Sequence, residues 1–276
     1  MEHLVGKYYM DDETLMGVDS FPELPDIRNL FYEVIRVVNS KPLFLKEHYL
    51  RIQNSAVHAE GGFSLDFTGC LWAISKLIHM NRFNQGNIKV LYWHKNLNDH
   101  YFYYFIPHVY PSPTEYENGV VVGILEAERK NPQIKVMQPQ VRECANRLIM
   151  ENDWYEVLLI NHMGEITEGS RSNVFFVQNN QIVTPPTGDV LSGITRQKVL
   201  QSIKELGYLC IEEVVKLKDL PNFEAAFLTG TSPKVLPIKQ IGDQQFSTQS
   251  PRIKAIYDAY EEKIQQDLQT VQTVVL

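Results

Sequence analysis

The sequence predicts an α+β chain organised as two domains, and three observations carry that prediction. Short runs rich in β-branched and aromatic residues alternate with longer stretches that read as helices, one of them free of Gly and Pro and another with its apolar residues along one face. A close pair of prolines, Pro111 and Pro113, interrupts the chain before its midpoint. Finally, 276 residues with 44% hydrophobic content exceed one ordinary domain of roughly 100–200 residues and suffice to fill two cores.

Taken in order, an irregular lead-in carrying Pro and Asp runs through Pro25, and residues 30–38 follow as a strand. Asn39-Ser40-Lys41-Pro42 is turn chemistry ahead of a second short strand at 43–45, which makes a hairpin. Residues 46–58 and 67–80 read as helices, and 87–93 and 101–106 as strands, the latter stopped by Pro107. The proline pair denies the chain both helix and ladder hydrogen bonds, so 111–118 is read as a linker between a smaller domain over 1–110 and a larger one over 119–276. Beyond it, 120–125 is a strand. Residues 138–152 form a helix with Pro139 in its first turn and Val141, Cys144, Ala145, Leu148 and Ile149 along one face. Strands at 156–160, 174–177 and 182–184 are separated by tight turns at His162-Met163-Gly164 and Asn179-Asn180. A helix over 196–206 closes at Gly207, strands follow at 209–214 and 225–228, and 253–268 is a terminal helix.

Charge and composition exclude several classes. The net charge of −7 and the scattered Lys and Arg argue against a nucleic-acid partner, because phosphate contacts need clustered cations. Cys70, Cys144 and Cys210 lie far apart without a CxxC pair, so neither a disulfide framework nor a metal site is signalled. The Met1-Glu2-His3-Leu4 start lacks a basic segment followed by an apolar one, and no run approaches the roughly 18 apolar residues of a membrane span. A cytoplasmic protein with no membrane partner is expected.

Three loops put small, hydroxyl-bearing or glycine residues at the ends of apolar strands: Glu168-Gly169-Ser170-Arg171-Ser172-Asn173, Ser192-Gly193-Ile194-Thr195-Arg196, and Thr229-Gly230-Thr231-Ser232. The second offers backbone N–H groups, a hydroxyl and the positive end of a helix dipole, which suits an anion. Alone it fits an ordinary Thr cap better than a site.

In this order, with Phe227-Leu228 before the third loop, Pro237 after it, and Tyr32-Glu33-Val34-Ile35-Arg36 and His48-Tyr49-Leu50-Arg51-Ile52 upstream, the loops resemble the class IV aminotransferases. That family comprises pyridoxal 5'-phosphate enzymes of fold type IV: branched-chain aminotransferases, D-amino-acid aminotransferases and aminodeoxychorismate lyases. The resemblance implies a two-domain fold with that cofactor and a homodimer. It implies that Arg51, the backbone N–H groups of Ile194 and Thr195 after Gly193, and the hydroxyls of Thr195 and Thr231 hold the phosphate, as an Arg fork and a helix N-terminus would. Glu168 would stand beside the pyridine nitrogen, with Leu191 on one ring face and the Ser170-Arg171 backbone near the other. Tyr32 would face the substrate, and Thr231 and Ser232 would lie near its carboxylate. Lys135, rather than Lys130, falls at the position of the lysine that binds the cofactor's aldehyde and moves the α-proton.

Two departures accompany the match. Val136-Met137-Gln138-Pro139-Gln140 stands where the family commonly has an Asn after its lysine, and the Arg-x-His pair of D-amino-acid members is absent, with Lys95 or Arg28 as possible substitutes. The function expected is transfer of an amino group from an amino acid, branched-chain-like or of D configuration, to a 2-oxo acid. The alternatives are pyruvate release from aminodeoxychorismate and a catalytically silent module that binds the cofactor or another phosphate compound.

Overall fold

The computed structural model describes residues 3–24, 30–60, 62–95 and 98–270, apart from the side chains of 59 and 60. Their contacts divide into two compact units. One gathers the chain through Val109 with Lys135–Met137 and the stretch from Ile264; the other holds Tyr110–Ile134 and Gln138–Lys263.

The first unit is built on β1 (Val5–Asp11), β2 (Thr14–Gly17), β3 (Phe31–Val38), β4 (Lys41–Pro42), β5 (Gln85–Lys95) and β6 (Asn98–Ile106), ordered β2-β1-β6-β5-β3-β4 and antiparallel throughout. Strand β3 shows the period of two: Phe31, Glu33, Ile35 and Val37 are buried, while Tyr32, Val34, Arg36 and Val38 are half-buried on the other side. Tyr32 and Glu33 therefore serve opposite faces of the sheet. Helix α1 (Leu45–Glu60) packs on β3, and α2 (Phe67–Asn81) on β1 and β6. Helix α2 starts where the Asp66 side chain accepts the Gly69 N–H at 2.7 Å.

Two expectations fail here. The lead-in holds the β1–β2 hairpin, hidden from pattern reading because Tyr9 and Met10 are both buried and the register against β6 shifts between Val5 and Met10. Residues 43–45 form no strand. Phe44 turns into the left-handed region at φ 52° and gives its N–H to Asp267 Oδ2 at 2.7 Å, and α1 begins one residue later.

In the second unit, the stretch 111–118 expected to link the domains holds the helix α3 (Pro113–Asn118). Ser112 caps it, Glu115 completes the capping box, and Pro113 sits at the first helical position, where its missing N–H costs nothing. There follow β7 (Val120–Glu126), α4 (Pro139–Asn152), β8 (Glu156–Ile160), β9 (Glu165–Gly169), β10 (Asn173–Gln178), β11 (Gln181–Thr184), α5 (Ile194–Glu205), β12 (Leu209–Glu212), β13 (Val215–Lys216), β14 (Ala225–Gly230), β15 (Lys234–Ile241), β16 (Gln244–Gln245) and α6 (Pro251–Thr270). The sheet runs β12-β11-β10-β14-β15-β7-β8-β9-β13, with β16 on β15. Its parallel pairs are β7 with β8, β7 with β15, and β11 with β12.

Strand β15 escaped pattern reading because of Pro237. The ladder to β7 begins only at Ile238 and shifts register before Gln240, so the proline lies beside an irregularity where a missing N–H is tolerated. Val122, Leu158, Phe176, Leu228 and Leu236 centre the core on one side of the sheet. The apolar stripe of α4 covers Leu125, Val157 and Leu159. Among the described residues no helix is long and apolar enough to cross a membrane, and no cluster of His, Cys, Asp and Glu is placed to hold a metal.

Two stability predictions follow from this packing. A Cβ added at Gly123 would lie 2.0 Å from the Trp154 ring, so Gly123→Ala should cost about 1–3 kcal/mol in urea unfolding. Asp99 accepts Tyr92 Oη (2.9 Å), the Ser64 N–H (2.6 Å) and Tyr101 Oη (3.3 Å), and lies 2.8 Å from His94 Nδ1. Burial raises its pKa, but the bonds from His94, Ser64 and Tyr92 outweigh that and bring it from 3.8 to about 2. A depressed carboxyl stabilises the fold above its ordinary value. The stability advantage of wild type over Asp99→Asn should therefore be full above pH 3.8 and vanish as the pH falls toward 2, read by denaturation at a series of pH values.

Candidate active site

The second unit brings the three sequence loops together through side chains that bond to backbone. Glu156, at the start of β8, is buried and accepts four donors: Ser170 Oγ at 2.6 Å, the Val157 N–H at 2.9 Å, the Arg171 N–H at 3.0 Å and Ser172 Oγ at 3.1 Å. This clamps the turn after Glu168, which closes by the Gly169 N–H to the Ser172 carbonyl at 2.7 Å. A side chain at 169 would strike Ser172 Oγ, 2.1 Å from an added Cβ.

Glu168 itself is buried, its Oε2 accepting the Leu191 N–H at 3.1 Å and Asn173 Nδ2 at 3.4 Å. Asn173 also donates to the Leu191 carbonyl at 2.9 Å, which ties the first loop to the second. It pairs in turn with Thr229 across β10 and β14. A Cβ at Gly230 would lie 3.4 Å from the Arg171 carbonyl, which places the third loop beside the first. The Arg171 guanidinium is held by Asn146 Oδ1.

Helix α5 starts two residues earlier than the sequence suggests, so Ile194, Thr195 and Arg196 form its first turn. Gly193 is the N-cap and makes no side-chain cap bond. A Cβ there would fall 2.3 Å from Asn173 Oδ1, which leaves that position to glycine. Thr195 is buried with its hydroxyl 3.4 Å from Tyr260 Oη. Arg196 is structural: it bonds to Thr187 Oγ1 and the Pro185 carbonyl. Thr229 Oγ1 is buried without a hydrogen-bond partner, and Thr231 and Ser232 follow it at the end of β14.

In the first unit, Lys135 lies against Tyr32. The Tyr32 N–H donates to the Lys135 carbonyl at 3.0 Å, the Met137 N–H to the Leu30 carbonyl at 2.9 Å, and Lys135 Nζ stands 4.7 Å from the Tyr32 ring centroid. On the other face of β3, Arg51 grips Glu33 from Nε (2.6 Å) and Nη2 (2.7 Å), and His48 Nδ1 lies 2.7 Å from the same carboxylate. Burial raises the pKa of Glu33, yet Arg51 and His48 together hold it well below the usual carboxylate range. Burial pushes His48 down; Glu33 opposes this and the cations Arg51 and Lys135 add to it.

The histidines on and beside the aromatic strands β5 and β6 belong to the first unit. His94 bonds to Asp99, His100 stacks on Trp93 with centroids 5.1 Å apart, and His108 is exposed. Lys95 ends β5 and is exposed, while Arg28 lies outside the described residues. Burial pushes the thiols of Cys70 and Cys210 up to about 12 and about 11, so neither is a ready nucleophile. Sequence reading missed Glu156, because a single Glu at a strand start carries no motif. It also missed Arg129, whose contacts to the Glu168 loop cross about 40 residues of chain.

A buried carboxylate, an uncapped helix start floored by glycine and a buried Thr hydroxyl lacking a partner fit a group that joins a protonatable ring to an anion. A family model described as amino-transferase class IV matches residues 30–241. The D-alanine aminotransferase of Bacillus licheniformis is 31% identical over 234 residues, covering 80% of this chain and 81% of that protein. A Thermotoga maritima protein named as a probable branched-chain-amino-acid aminotransferase is 29% identical over 255 residues, 89% of each chain. The Escherichia coli branched-chain amino acid aminotransferase shares the fold, with a TM-score of 0.83 at 20% identity over 94% of this chain and 95% of that one. With the family model spanning most of its length, the chain belongs to the class IV aminotransferases, enzymes that depend on pyridoxal 5'-phosphate and take fold type IV.

Proposed function

We propose that this enzyme moves an amino group from an amino acid, branched-chain-like or of D configuration, to a 2-oxo acid, and that it works as a cytoplasmic homodimer with neither nucleic acid nor membrane as partner. The observation that carries the reading is the link from the buried Glu168 carboxylate, through the Leu191 amide, to the uncapped first turn of α5. Pyridoxal phosphate, when bound, supplies an electron sink for the substrate's α-carbon.

This chain's residues do the rest. Glu168 favours the protonated ring, and the Ile194 and Thr195 amides after Gly193, the Thr195 and Thr231 hydroxyls and Arg51 receive the phosphate. Leu191 and the Ser170-Arg171 backbone flank the ring. Lys135 binds the aldehyde carbon and carries the α-proton. Tyr32 faces the substrate, while Thr231 and Ser232 take its carboxylate. Around Tyr32, the packed Leu30, Leu91 and Met137 support an apolar substrate side chain.

Two substitutions test the assignments. Lys135→Ala should retain phosphate-anchored cofactor and lose turnover; retained turnover would move the catalytic lysine elsewhere. Arg51→Ala should weaken cofactor binding by about 1.5–3 kcal/mol, the scale of a hydrogen bond to a charged group, measured by titrating the apoprotein. A screen of L- and D-amino donors against 2-oxoglutarate and pyruvate tests the reaction, with the cofactor's absorption change as readout. Turnover that needs an oxo acid supports transfer. Pyruvate released from aminodeoxychorismate without an acceptor identifies a lyase, and protein whose absorption borohydride leaves unchanged identifies a silent module.

A further inference from the structure

Arg129 is the cation placed against the Glu168 loop. Its Nε stands 3.2 Å from Glu168 Oε1, and its Nη2 donates to the Ser170 carbonyl at 2.5 Å. Both side chains are withdrawn from solvent, Arg129 at 11% exposure and Glu168 at 4%. The other carboxylate oxygen, Oε2, accepts the Leu191 N–H and Asn173 Nδ2. Glu168 is thus oriented by neutral donors at one oxygen and faced by a guanidinium charge at the other, which accepts no hydrogen bond.

The chemistry at stake is the charge of a buried carboxylate. Moving a carboxylate out of water disfavours its ionised form, whereas a cation within about 4–6 Å favours it. The amide donors at Oε2 set direction more than charge. The guanidinium supplies the charge: it pairs with Oε1 by proximity, without a hydrogen bond at that oxygen, and is itself held in place by its bond to the Ser170 carbonyl.

We infer that Arg129 is the positioning residue for Glu168: it holds that side chain ionised and aimed so that it can keep the cofactor's ring nitrogen protonated. The inference rests on the reading that Glu168 serves that nitrogen.

The test uses the full-length holoenzyme reconstituted with pyridoxal phosphate labelled with 15N in the ring, whose 15N resonance reports ring protonation directly. Wild type is expected to show the protonated ring. Arg129→Met removes the charge while keeping the stem, and should lose the protonated resonance. Its kcat should fall more than its KM for the oxo acid changes. Arg129→Lys keeps the cation and should restore the protonated ring. Unchanged ring protonation in Arg129→Met, or an unprotonated ring in folded Arg129→Lys, overturns the inference; circular dichroism verifies folding of each variant. Glu168→Gln separates the two readings. If that variant keeps a protonated ring, the assignment of Glu168 itself fails. If it loses protonation while Arg129→Met does not, only the role of Arg129 fails.

Discussion

The buried carboxylate of Glu156 is the constraint on which the ordering of the site depends. A carboxylate taken out of water is costly unless its lone pairs are met, and here two hydroxyls and two backbone amides meet them. Three of those donors lie in the turn at 170–172, so satisfying the charge and fixing the turn are the same event. Hydrogen bonds to charged groups contribute about 1.5–3 kcal/mol each, enough to hold a short loop in a single arrangement. Glu168 immediately precedes that turn and takes its direction from it.

A second carboxylate continues the pattern. Through the Leu191 amide and the Asn173 amide group, Glu168 joins the turn after β9 to the stretch leading into α5. Gly193 then lets Asn173 approach where any Cβ would collide. The helix starts at a glycine N-cap that makes no side-chain cap bond, a state suited to an anionic ligand. In the first unit, Glu33 takes the Arg51 fork and His48 within the interior. Breaking one side of such a buried pair is expensive, so Arg51 is held in direction whatever else it binds.

The fold was legible wherever periodicity was clean. The β-branched and aromatic run at 31–38 forms a strand that alternates in burial, the stripe on α4 repeats at helical spacing, and Asn179-Asn180 forms the tight turn its residues suggest, both at positive φ. Legibility failed at irregularities. The β1–β2 hairpin is masked by a register shift, β15 by Pro237, and the helix after Ser112 by a proline pair read as a breaker although one of them sits at the first helical position. The loops at 168, 193 and 229 could be chosen from residue type and order. Their partners could not.

What the sequence by itself determined is local: strand and helix periods, caps, turns, and the ordered motifs that mark the family. Those follow from φ/ψ preference and side-chain spacing, which act over a few residues. Only tertiary structure decided that Glu156 meets Ser170 and Ser172, that Arg129 meets Glu168, and that Arg51 meets Glu33. Such meetings depend on strand order and register, where a one-residue slip would send every side chain to the opposite face, and no local preference encodes them.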